Sequence, residues 1–265
     1  MITNLRFELS FKNIAQLENK LNFCKLNKIN NINIPCKGLI KKDLFNTTFE
    51  YIAKNFSEFN VTYHYSLYHQ YSKNKENSYL ELTNFIKKLN LCKNFQILLV
   101  SGSNKKKNFE VINVLNDMRR EENLNVKVGI AYNPYLRKYF NLNSERERYE
   151  KKISTGLVNS VWFQFGTDIN ELEREVSYIK KSKKYQGYNL YGSILVPSKQ
   201  FISRFKFRPW KGVYISENYL SSIEEFCSFT NDLFRFYSEN NITPVIETEF
   251  SSAGKLNYIQ NLFSY

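Results

Sequence analysis

Eight short segments of the chain have the residue pattern of β-strands, and stretches with helical spacing separate them. Apolar, β-branched and aromatic residues dominate these segments, and such residues pack well on a pleated surface. The segments are residues 5–11, 31–35, 61–66, 95–102, 126–132, 160–165, 191–197 and 243–250. Their number and regular recurrence constrain the fold more strongly than any other feature of the sequence.

Four of the intervening stretches repeat apolar residues at the spacing of an amphipathic helix. They are residues 14–26, 79–91, 109–120 and 169–181. In the first of them, the residues that share the apolar face are Ile14, Leu17, Leu21 and Cys24. We therefore predict a helix for each of the four stretches.

Eight strands that alternate with helices over 265 residues predict an α/β fold, a single (β/α)8 TIM barrel. A doubly wound dinucleotide-binding sheet is disfavoured, because residues 8–13 after the first strand lack the glycine-rich phosphate fingerprint. No linker rich in Pro, Gly or Ser divides the chain, so we predict one domain over residues 1–265. Barrels of this type carry their chemistry at the C-terminal ends of the strands, and the candidate site residues are sought there.

Composition excludes several other classes of protein. The chain is 42% hydrophobic and 16% aromatic, which is enough apolar material to offset the entropy of folding and argues against disorder. No apolar run approaches the roughly 18 residues of a spanning helix, and the first residues lack the pattern of a signal peptide, so we expect a cytoplasmic protein. Four scattered cysteines and two histidines predict neither a disulfide framework nor a metal site.

The formal net charge of +13 is ambiguous. A basic surplus can mark a nucleic-acid-binding surface. The lysine clusters at residues 105–107 and 180–184 are short, however, and no nucleic-acid-binding module accompanies them. Solvated helix ends and loops are the commonest meaning of such clusters, so nucleic-acid binding is the less favoured interpretation.

Several strand ends carry short motifs that occur in the same order in one known family. The motifs are Phe7-Glu8-Leu9-Ser10-Phe11, His64-Tyr65-Ser66-Leu67, Ser101-Gly102-Ser103, Ala131-Tyr132-Asn133-Pro134, Lys152 with Gly156, and Trp162-Phe163-Gln164-Phe165-Gly166-Thr167-Asp168. In this order they resemble the methylenetetrahydrofolate reductase family, whose members are flavoenzymes built on a barrel. The resemblance extends over nearly the whole chain.

The resemblance implies an oxidoreductase of folate one-carbon metabolism. In the family, NAD(P)H reduces bound FAD, and the reduced flavin transfers a hydride to 5,10-methylenetetrahydrofolate to give 5-methyltetrahydrofolate. The methylene bridge opens only when the departing nitrogen is protonated, and Glu8 matches the carboxyl group that serves as the general acid. A glutamate within an apolar strand is costly unless it is used, and this supports the assignment.

The resemblance also implies binding roles at other strand ends. Gln164 matches the residue that holds the pterin ring, because an amide offers both a donor and an acceptor to the ring edge. Ser103 and Phe201 are the further residues assigned to substrate binding. The residues assigned to FAD are His64, Ser101, Tyr132, Glu145 and Lys152. For His64, Tyr132, Glu145 and Lys152, a structural role as a solvated charge or a core side chain is an equal alternative.

One departure from the family pattern keeps a second function open. Ser101-Gly102-Ser103 stands where the family has Arg-Gly-Asp, so a phosphate-pairing arginine and an aspartate near the flavin are absent. The alternative is a folate-binding paralogue without reductase chemistry, related to methyl transfer. A basic nucleic-acid-binding protein on a barrel scaffold is a third hypothesis.

Two surface features bear on possible partners. Anionic folate tails would be attracted by a basic ring at the barrel mouth, and the lysines just beyond strand ends are Lys37, Lys105, Lys106 and Lys199. The aromatic-rich stretches 185–191 and 201–210 are candidates either for a homo-oligomer interface or for a wall that stacks on folate. The sequence does not separate these two roles.

Overall fold

The computed structural model describes residues 5–36, 42–72, 74–92, 94–102, 110–121, 128–138, 143–182, 187–210 and 212–263. Eight parallel strands close into one barrel, and each strand pairs with the next in sequence. The last strand pairs with the first, which completes the closure. The predicted (β/α)8 TIM barrel is confirmed, while the assignment of residues 1–265 to one domain stays a prediction.

The strands agree with the predicted segments but are mostly shorter. Their bounds are β1 Arg6–Glu8, β2 Asn31–Ile34, β3 Asn60–Ser66, β4 Phe95–Val100, β5 Val128–Tyr132, β6 Val158–Phe163, β7 Asn189–Ile194 and β8 Ile242–Ile246. A strand ends where pairing with its neighbours ends, whereas the apolar pattern continues into the following loop. The strand β7, for example, begins two residues before the start of the predicted segment 191–197 and ends three residues before the end of that segment.

Helices connect the strands on the outside of the barrel. Their bounds are α1 Ile14–Leu26, α2 Lys42–Asn55, α3 Leu67–Gln70, α4 Lys75–Asn90, α5 Val111–Arg119, α6 Asn143–Ile153, α7 Ile169–Lys181, α8 Lys199–Phe207, α9 Glu217–Ser221, α10 Ile223–Glu239 and α11 Ala253–Leu262. A short 3-10 turn at Leu136–Lys138 lies between β5 and α6. Within the part of the chain described above, none of the helices has both the length and the apolar character needed to cross a membrane.

The helix starts are fixed by side-chain caps. The Asn13 side chain accepts a hydrogen bond from the backbone of Gln16 at the start of α1, and Asp168 does the same for Glu171 at α7. Such caps satisfy backbone N–H groups that have no partner within the helix and are worth about 1 kcal/mol each. The predicted bounds of α1 and α7 are confirmed at both ends.

Each strand has an apolar face and a more polar face. The outward residues, such as Phe7, Ile32 and Val61, pack against the helices in the main core and are fully buried. The inward residues alternate with them and include many polar side chains: Arg6, Glu8, Asn33, Thr62, His64, Gln96 and Ser160. The apolar layer outside the strands therefore supplies the burial that stabilises the fold, and the interior carries the polar groups.

A stacked pair of rings fills the centre of the barrel. Trp162 on β6 stacks on Tyr191 on β7, with 3.9 Å between ring centroids and 16° between the planes. Gly129 on the neighbouring strand β5 leaves room for the indole, because a Cβ at this position would lie 2.5 Å from Trp162 Nε1. The Trp162 N–H donates to Ser160 Oγ at 2.9 Å, so the buried indole is satisfied.

Candidate functional site

The C-terminal ends of all eight strands lie at one end of the barrel, because the strands are parallel. We call this end the mouth. The inward-facing polar residues at the mouth include Glu8, His64, Gln164 and Glu247. In barrels of this type the strand ends hold the reacting groups, so the mouth is the candidate site.

Glu8 and His64 form a close and largely buried pair at the mouth. Glu8 Oε2 lies 3.8 Å from His64 Nδ1, and the two side chains are 2% and 16% exposed. This separation is too long for a hydrogen bond but short enough for a strong electrostatic interaction. The pair joins a carboxyl group and an imidazole, two side chains that commonly transfer protons in enzyme active sites.

Asn33 links this pair to the interior of the barrel. Its amide nitrogen lies 3.0 Å from His64 Nε2, and its amide oxygen accepts a hydrogen bond of 2.9 Å from Arg6 Nε. Asn33 is completely buried on β2, between the strands that carry Glu8 and His64. The Asn33 amide thus connects His64 at the mouth to Arg6, which lies deeper in the barrel.

Arg6 is a buried cation whose Nε and Nη2 groups are hydrogen-bonded. Its Nη2 donates to the Ile32 carbonyl at 2.8 Å, to the Asn60 carbonyl at 3.1 Å and to Thr62 Oγ1 at 2.7 Å. The guanidinium carbon lies 5.8 Å from the Trp162 ring and 5.6 Å from the Tyr191 ring. Both are within the range of cation–π attraction.

Burial lowers the pKa of Arg6 to about 10, and the nearby Tyr191 opposes the shift. Arg6 therefore stays charged at neutral pH. A buried charge is tolerated only when it is hydrogen-bonded, and the acceptors around Arg6 meet that condition.

The opposite part of the mouth is formed by β6, β7 and β8. Gln164 follows the inward-facing Trp162 by two residues, so strand alternation places it on the same side, and it is partly exposed. Among the described residues, no side-chain group forms a hydrogen bond with the Gln164 amide. On the next two strands, Ser193 Oγ donates to Glu247 Oε1 at 2.5 Å.

The Trp162 ring connects the two parts of the mouth. The Trp162 ring lies 6.0 Å from the His64 ring in an edge-on arrangement, and His64 faces Glu8. Gln164 follows β6 and lies two residues after Trp162. The mouth therefore carries a carboxyl group, an imidazole, a side-chain amide and an aromatic ring.

The structure brings some of the predicted site residues together. Glu8, His64 and Gln164 belong to the mouth, as described above. Ser101 follows β4 and is partly exposed next to Gly102, whose φ is +84°. A side chain at Gly102 would collide with Tyr68, so the backbone here passes close to the end of β3. Ser103 lies outside the described residues.

Tyr132 has a different environment from the one predicted. It is 1% exposed and lies on the outward face of β5, where its hydroxyl donates to Glu175 Oε2 of α7 at 2.5 Å. Its ring packs edge-on against Tyr149 and Phe163. Strand alternation explains this position, because Gly129 and Ala131 take the inward positions and Tyr132 must face the helices. The structure does not bring Tyr132 to the mouth.

Glu145 and Lys152 on α6 are both engaged by neighbouring protein groups. Glu145 accepts a hydrogen bond from the backbone of Asn133 at 3.2 Å and an ion pair from Arg148 at 2.6 Å. Lys152 Nζ donates to the Ala131 carbonyl at 3.3 Å. These contacts tie α6 to the end of β5.

Phe201 belongs to an aromatic cluster in the helical layer. Its ring centroid lies 5.8 Å from Phe205, 5.4 Å from Trp210 and 5.5 Å from Phe226. These contacts join α8 to α10. In stretch 201–210, Phe205 is buried and Phe201 is partly buried, whereas Phe207 and Trp210 are 91% and 48% exposed.

The sequence reasoning missed Arg6, Asn33, Trp162 and Tyr191 as site residues. A signal for the first two was present in the alternation of their strands. Arg6 shares its face with Glu8, and Asn33 lies between Ile32 and Ile34, whose apolar side chains must face the helices. A polar residue between two buried apolar neighbours in a barrel strand faces the interior.

Comparisons with known proteins support the fold. No protein-family model and no curated protein matches the chain. An uncharacterized protein from Clostridium thermocellum that binds two copies of 5-methyl-5,6,7,8-tetrahydrofolic acid has a similar structure, with a TM-score of 0.64 and 12% identity over 98% of this chain and 93% of that one.

Two enzymes of other classes are also similar in structure. A thermostable aldo-keto reductase matches with a TM-score of 0.58 and 11% identity, over 99% of this chain and 90% of that one. A chitinase domain from Pyrococcus furiosus matches with a TM-score of 0.55 and 11% identity, over 98% and 94%. At such low identities these similarities show the barrel fold alone.

Proposed function

We propose that this chain binds a reduced folate at the mouth of the barrel. The observation that carries the proposal is the amide of Gln164, which has no hydrogen-bond partner among the described side chains and belongs to the same mouth as Glu8 and His64. A pterin ring presents neighbouring donors and acceptors along one edge, and an amide side chain can match both kinds of group. The Clostridium thermocellum protein, whose barrel is similar, binds 5-methyltetrahydrofolate and supports this choice of ligand.

The finer proposal is reductase chemistry on the bound folate. Opening the methylene bridge needs a proton on the departing nitrogen, and Glu8 is the buried carboxyl group at the mouth. Hydride would then be transferred to the methylene carbon, with NAD(P)H as its source. The alternative is a folate-binding protein without reduction, in which Glu8 only accepts hydrogen bonds from the ligand.

The described residues do not fit FAD in the way that was predicted. Of the five residues assigned to it, Tyr132 bonds to Glu175, Glu145 pairs with Arg148, and Lys152 bonds to a strand carbonyl. Their polar groups satisfy the barrel and its helices. FAD stays a prediction from the resemblance, and we derive no step through it.

Binding is tested by calorimetric titration of the purified protein with 5-methyltetrahydrofolate. Gln164→Ala should weaken binding about tenfold or more, because it leaves pterin donors and acceptors without partners. The matched control is Gln260→Ala, which removes the same amide from α11, near the opposite end of the barrel. Absence of binding to the wild type, or equal binding by both variants, would refute the proposal.

Reduction is tested separately by NADH or NADPH oxidation that depends on 5,10-methylenetetrahydrofolate. If reductase chemistry operates, Glu8→Gln should abolish turnover while folate still binds. Folate binding without turnover in the wild type would favour the non-reducing alternative. The absorption spectrum of the purified protein tests FAD, because a bound flavin makes the preparation yellow.

A further inference from the structure

Four polar side chains form a continuous series of contacts from the barrel interior to the mouth. Arg6 Nε lies 2.9 Å from Asn33 Oδ1, Asn33 Nδ2 lies 3.0 Å from His64 Nε2, and His64 Nδ1 lies 3.8 Å from Glu8 Oε2. The series uses residues from β1, β2 and β3. The order of these contacts determines which nitrogen of His64 carries a proton, because Arg6 at one end of the series can only donate hydrogen bonds.

Arg6 sets the direction of every hydrogen bond that follows. A guanidinium group can only donate, so the Asn33 atom that faces Arg6 Nε must be the amide oxygen. The amide nitrogen of Asn33 then faces His64, and this nitrogen can also only donate. His64 Nε2 must therefore accept, and in the neutral ring the proton must be on Nδ1.

We propose that Arg6 and Asn33 are positioning residues that hold His64 in the neutral Nδ1–H tautomer, with this N–H directed at the Glu8 carboxyl group. The effect of this tautomer on folate chemistry rests on the proposed function. The assignment of the tautomer itself does not. No group in this chain of contacts is left without a complementary partner.

Arg6 is rigid enough to enforce this arrangement. It is 4% exposed, and its Nη2 is held by two backbone carbonyls and by Thr62 Oγ1. Rotating the Asn33 amide by 180° would place its nitrogen against Arg6 Nε, so that two donors would meet in a buried site. Such an unsatisfied contact is costly, and Asn33 therefore keeps one orientation.

The same arrangement opposes a second proton on His64. In the imidazolium, Nε2–H would point at the donating nitrogen of Asn33, and burial also disfavours the charged form. Glu8 acts in the opposite direction, because a carboxylate 3.8 Å away stabilises an imidazolium. The groups that face the His64 ring include Glu8 from β1, Asn33 from β2 and Trp162 from β6, with Arg6 behind Asn33.

A neutral His64 matters for the work assigned to Glu8. An imidazolium next to Glu8 would form an ion pair with it and keep the carboxyl group ionised. A neutral imidazole does not impose this, so Glu8 can take up and release a proton at the mouth. Arg6 and Asn33 thus act on Glu8 through His64 and need not touch the ligand.

Nitrogen NMR of histidine-labelled protein tests the tautomer directly in the absence of folate. The chain has two histidines, and the exposed His69 can be removed by His69→Gln to leave one pair of ring signals. We expect a protonated, pyrrole-type signal for Nδ1 and an unprotonated, pyridine-type signal for Nε2 at neutral pH. A pyrrole-type Nε2, or a charged ring at neutral pH, would overturn the proposal.

Asn33→Asp should reverse the tautomer of His64 with almost no change in side-chain size. Its second carboxylate oxygen would face His64 Nε2 and accept, so the ring proton should move to Nε2 and the midpoint of His64 titration should rise by about one pH unit or more. Asn31→Asp is the matched control, since Asn31 lies on the same strand and contacts Asn60 instead. An unchanged tautomer in Asn33→Asp, with the fold intact by circular dichroism, would show that Asn33 does not set it.

The two proposals fail in different ways. If the wild type shows the Nδ1–H tautomer but binds no folate, the tautomer proposal is supported and the proposed function is refuted. If folate binds but His64 carries its proton on Nε2, the proposed function is supported and the tautomer proposal is refuted. A merely structural role of Asn33 would lower the stability of Asn33→Asp without moving the ring proton.

Discussion

At the residue scale, the position of Tyr132 shows how a motif match can point to the wrong face of a strand. Its motif matched a family segment at a strand end, but strand alternation directs the side chain towards the helices, where it meets Glu175. The same alternation would have placed Arg6 and Asn33 inside the barrel with Glu8. For a barrel strand, which neighbours are apolar is a better guide to a side chain's direction than similarity of a short motif.

Glu175 is the centre of a buried polar cluster outside the barrel. It is fully buried, and it accepts hydrogen bonds from Arg146 at 2.8 and 3.0 Å and from Tyr132 at 2.5 Å. Burial alone would raise the pKa of this carboxyl group, but the hydrogen bonds from Arg146 and Tyr132 outweigh it and hold the pKa below its ordinary value. The cluster joins β5, α6 and α7.

We expect Glu175→Gln to destabilise the protein by about 2–4 kcal/mol, because it leaves Arg146 without its anionic partner. Tyr132→Phe should cost about 1.5–3 kcal/mol, the range for a hydrogen bond to a charged group. Urea denaturation measures both changes. Glu173→Gln on the exposed face of the same helix is the control and should be nearly neutral. A flavin that is bound by the wild type and lost in Tyr132→Phe, without loss of stability, would instead support the FAD-binding role first assigned to Tyr132.

At the element scale, an ion pair links α1 to the segment after β8. Lys20 on α1 pairs with Glu249, and the same carboxylate accepts a hydrogen bond of 2.9 Å from the Ser251 backbone. Partial burial by itself would raise the pKa of Glu249, but Lys20 and Ser251 outweigh it and lower the pKa to about 2. These contacts connect α1 to the segment after β8 and so stabilise the barrel where β8 pairs with β1.

This shift makes a signed prediction about acid stability. The pKa of Glu249 is lower in the folded chain than the ordinary value of 4.5, so its contribution is present above about pH 4.5 and is lost as the pH falls towards 2. Glu249→Gln should flatten part of the fall in stability over this window, measured as melting temperature against pH. The effect should be modest, because the Glu249 side chain is 43% exposed and solvent screens the pair. An identical acid profile in the variant would contradict it.

Helices and strands differed in how well their bounds followed from the sequence. The bounds of α1 and α7 could be predicted because capping residues and apolar spacing are local signals. The end of β7 could not, since it depends on where pairing with β6 and β8 ends. Local chemistry sets the limits of a helix, whereas neighbouring strands set the limits of a strand.

At the scale of the whole molecule, the charge of +13 bears on the form of the ligand. Of the four lysines predicted to ring the mouth, Lys199 is exposed at the start of α8, which follows β7 on the mouth side. Lys37, Lys105 and Lys106 lie outside the described residues. A basic rim would attract the anionic glutamate tail of folate over a range set by the salt concentration.

We expect the affinity for a polyglutamylated 5-methyltetrahydrofolate to fall more steeply with salt than the affinity for the monoglutamate. The pterin contacts are common to both ligands, so the difference isolates the tail. Titrations at low and at physiological salt measure it, and parallel salt dependences would assign the surplus charge to composition rather than to the site. Measuring RNA and DNA binding over the same salt range tests the nucleic-acid hypothesis.

The sequence by itself determined the architecture of this protein and the two-sided character of its strands. Eight extended segments with intervening helices are enough for a closed barrel, because each element is encoded by short-range periodicity and the βα connections have few ways to pack. It also contained the polar residues that the barrel encloses. Glu8 and Gln164 could be proposed from their positions at strand ends.

Only the tertiary structure decided which of these residues meet. Arg6, Asn33 and His64 are 27 to 58 positions apart, and strand register brings them into one line that ends at Glu8. Register and barrel closure depend on the packing of all eight strands at once, and no local pattern encodes them. The direction of the hydrogen bonds from Arg6 to His64 therefore became visible only in the folded barrel.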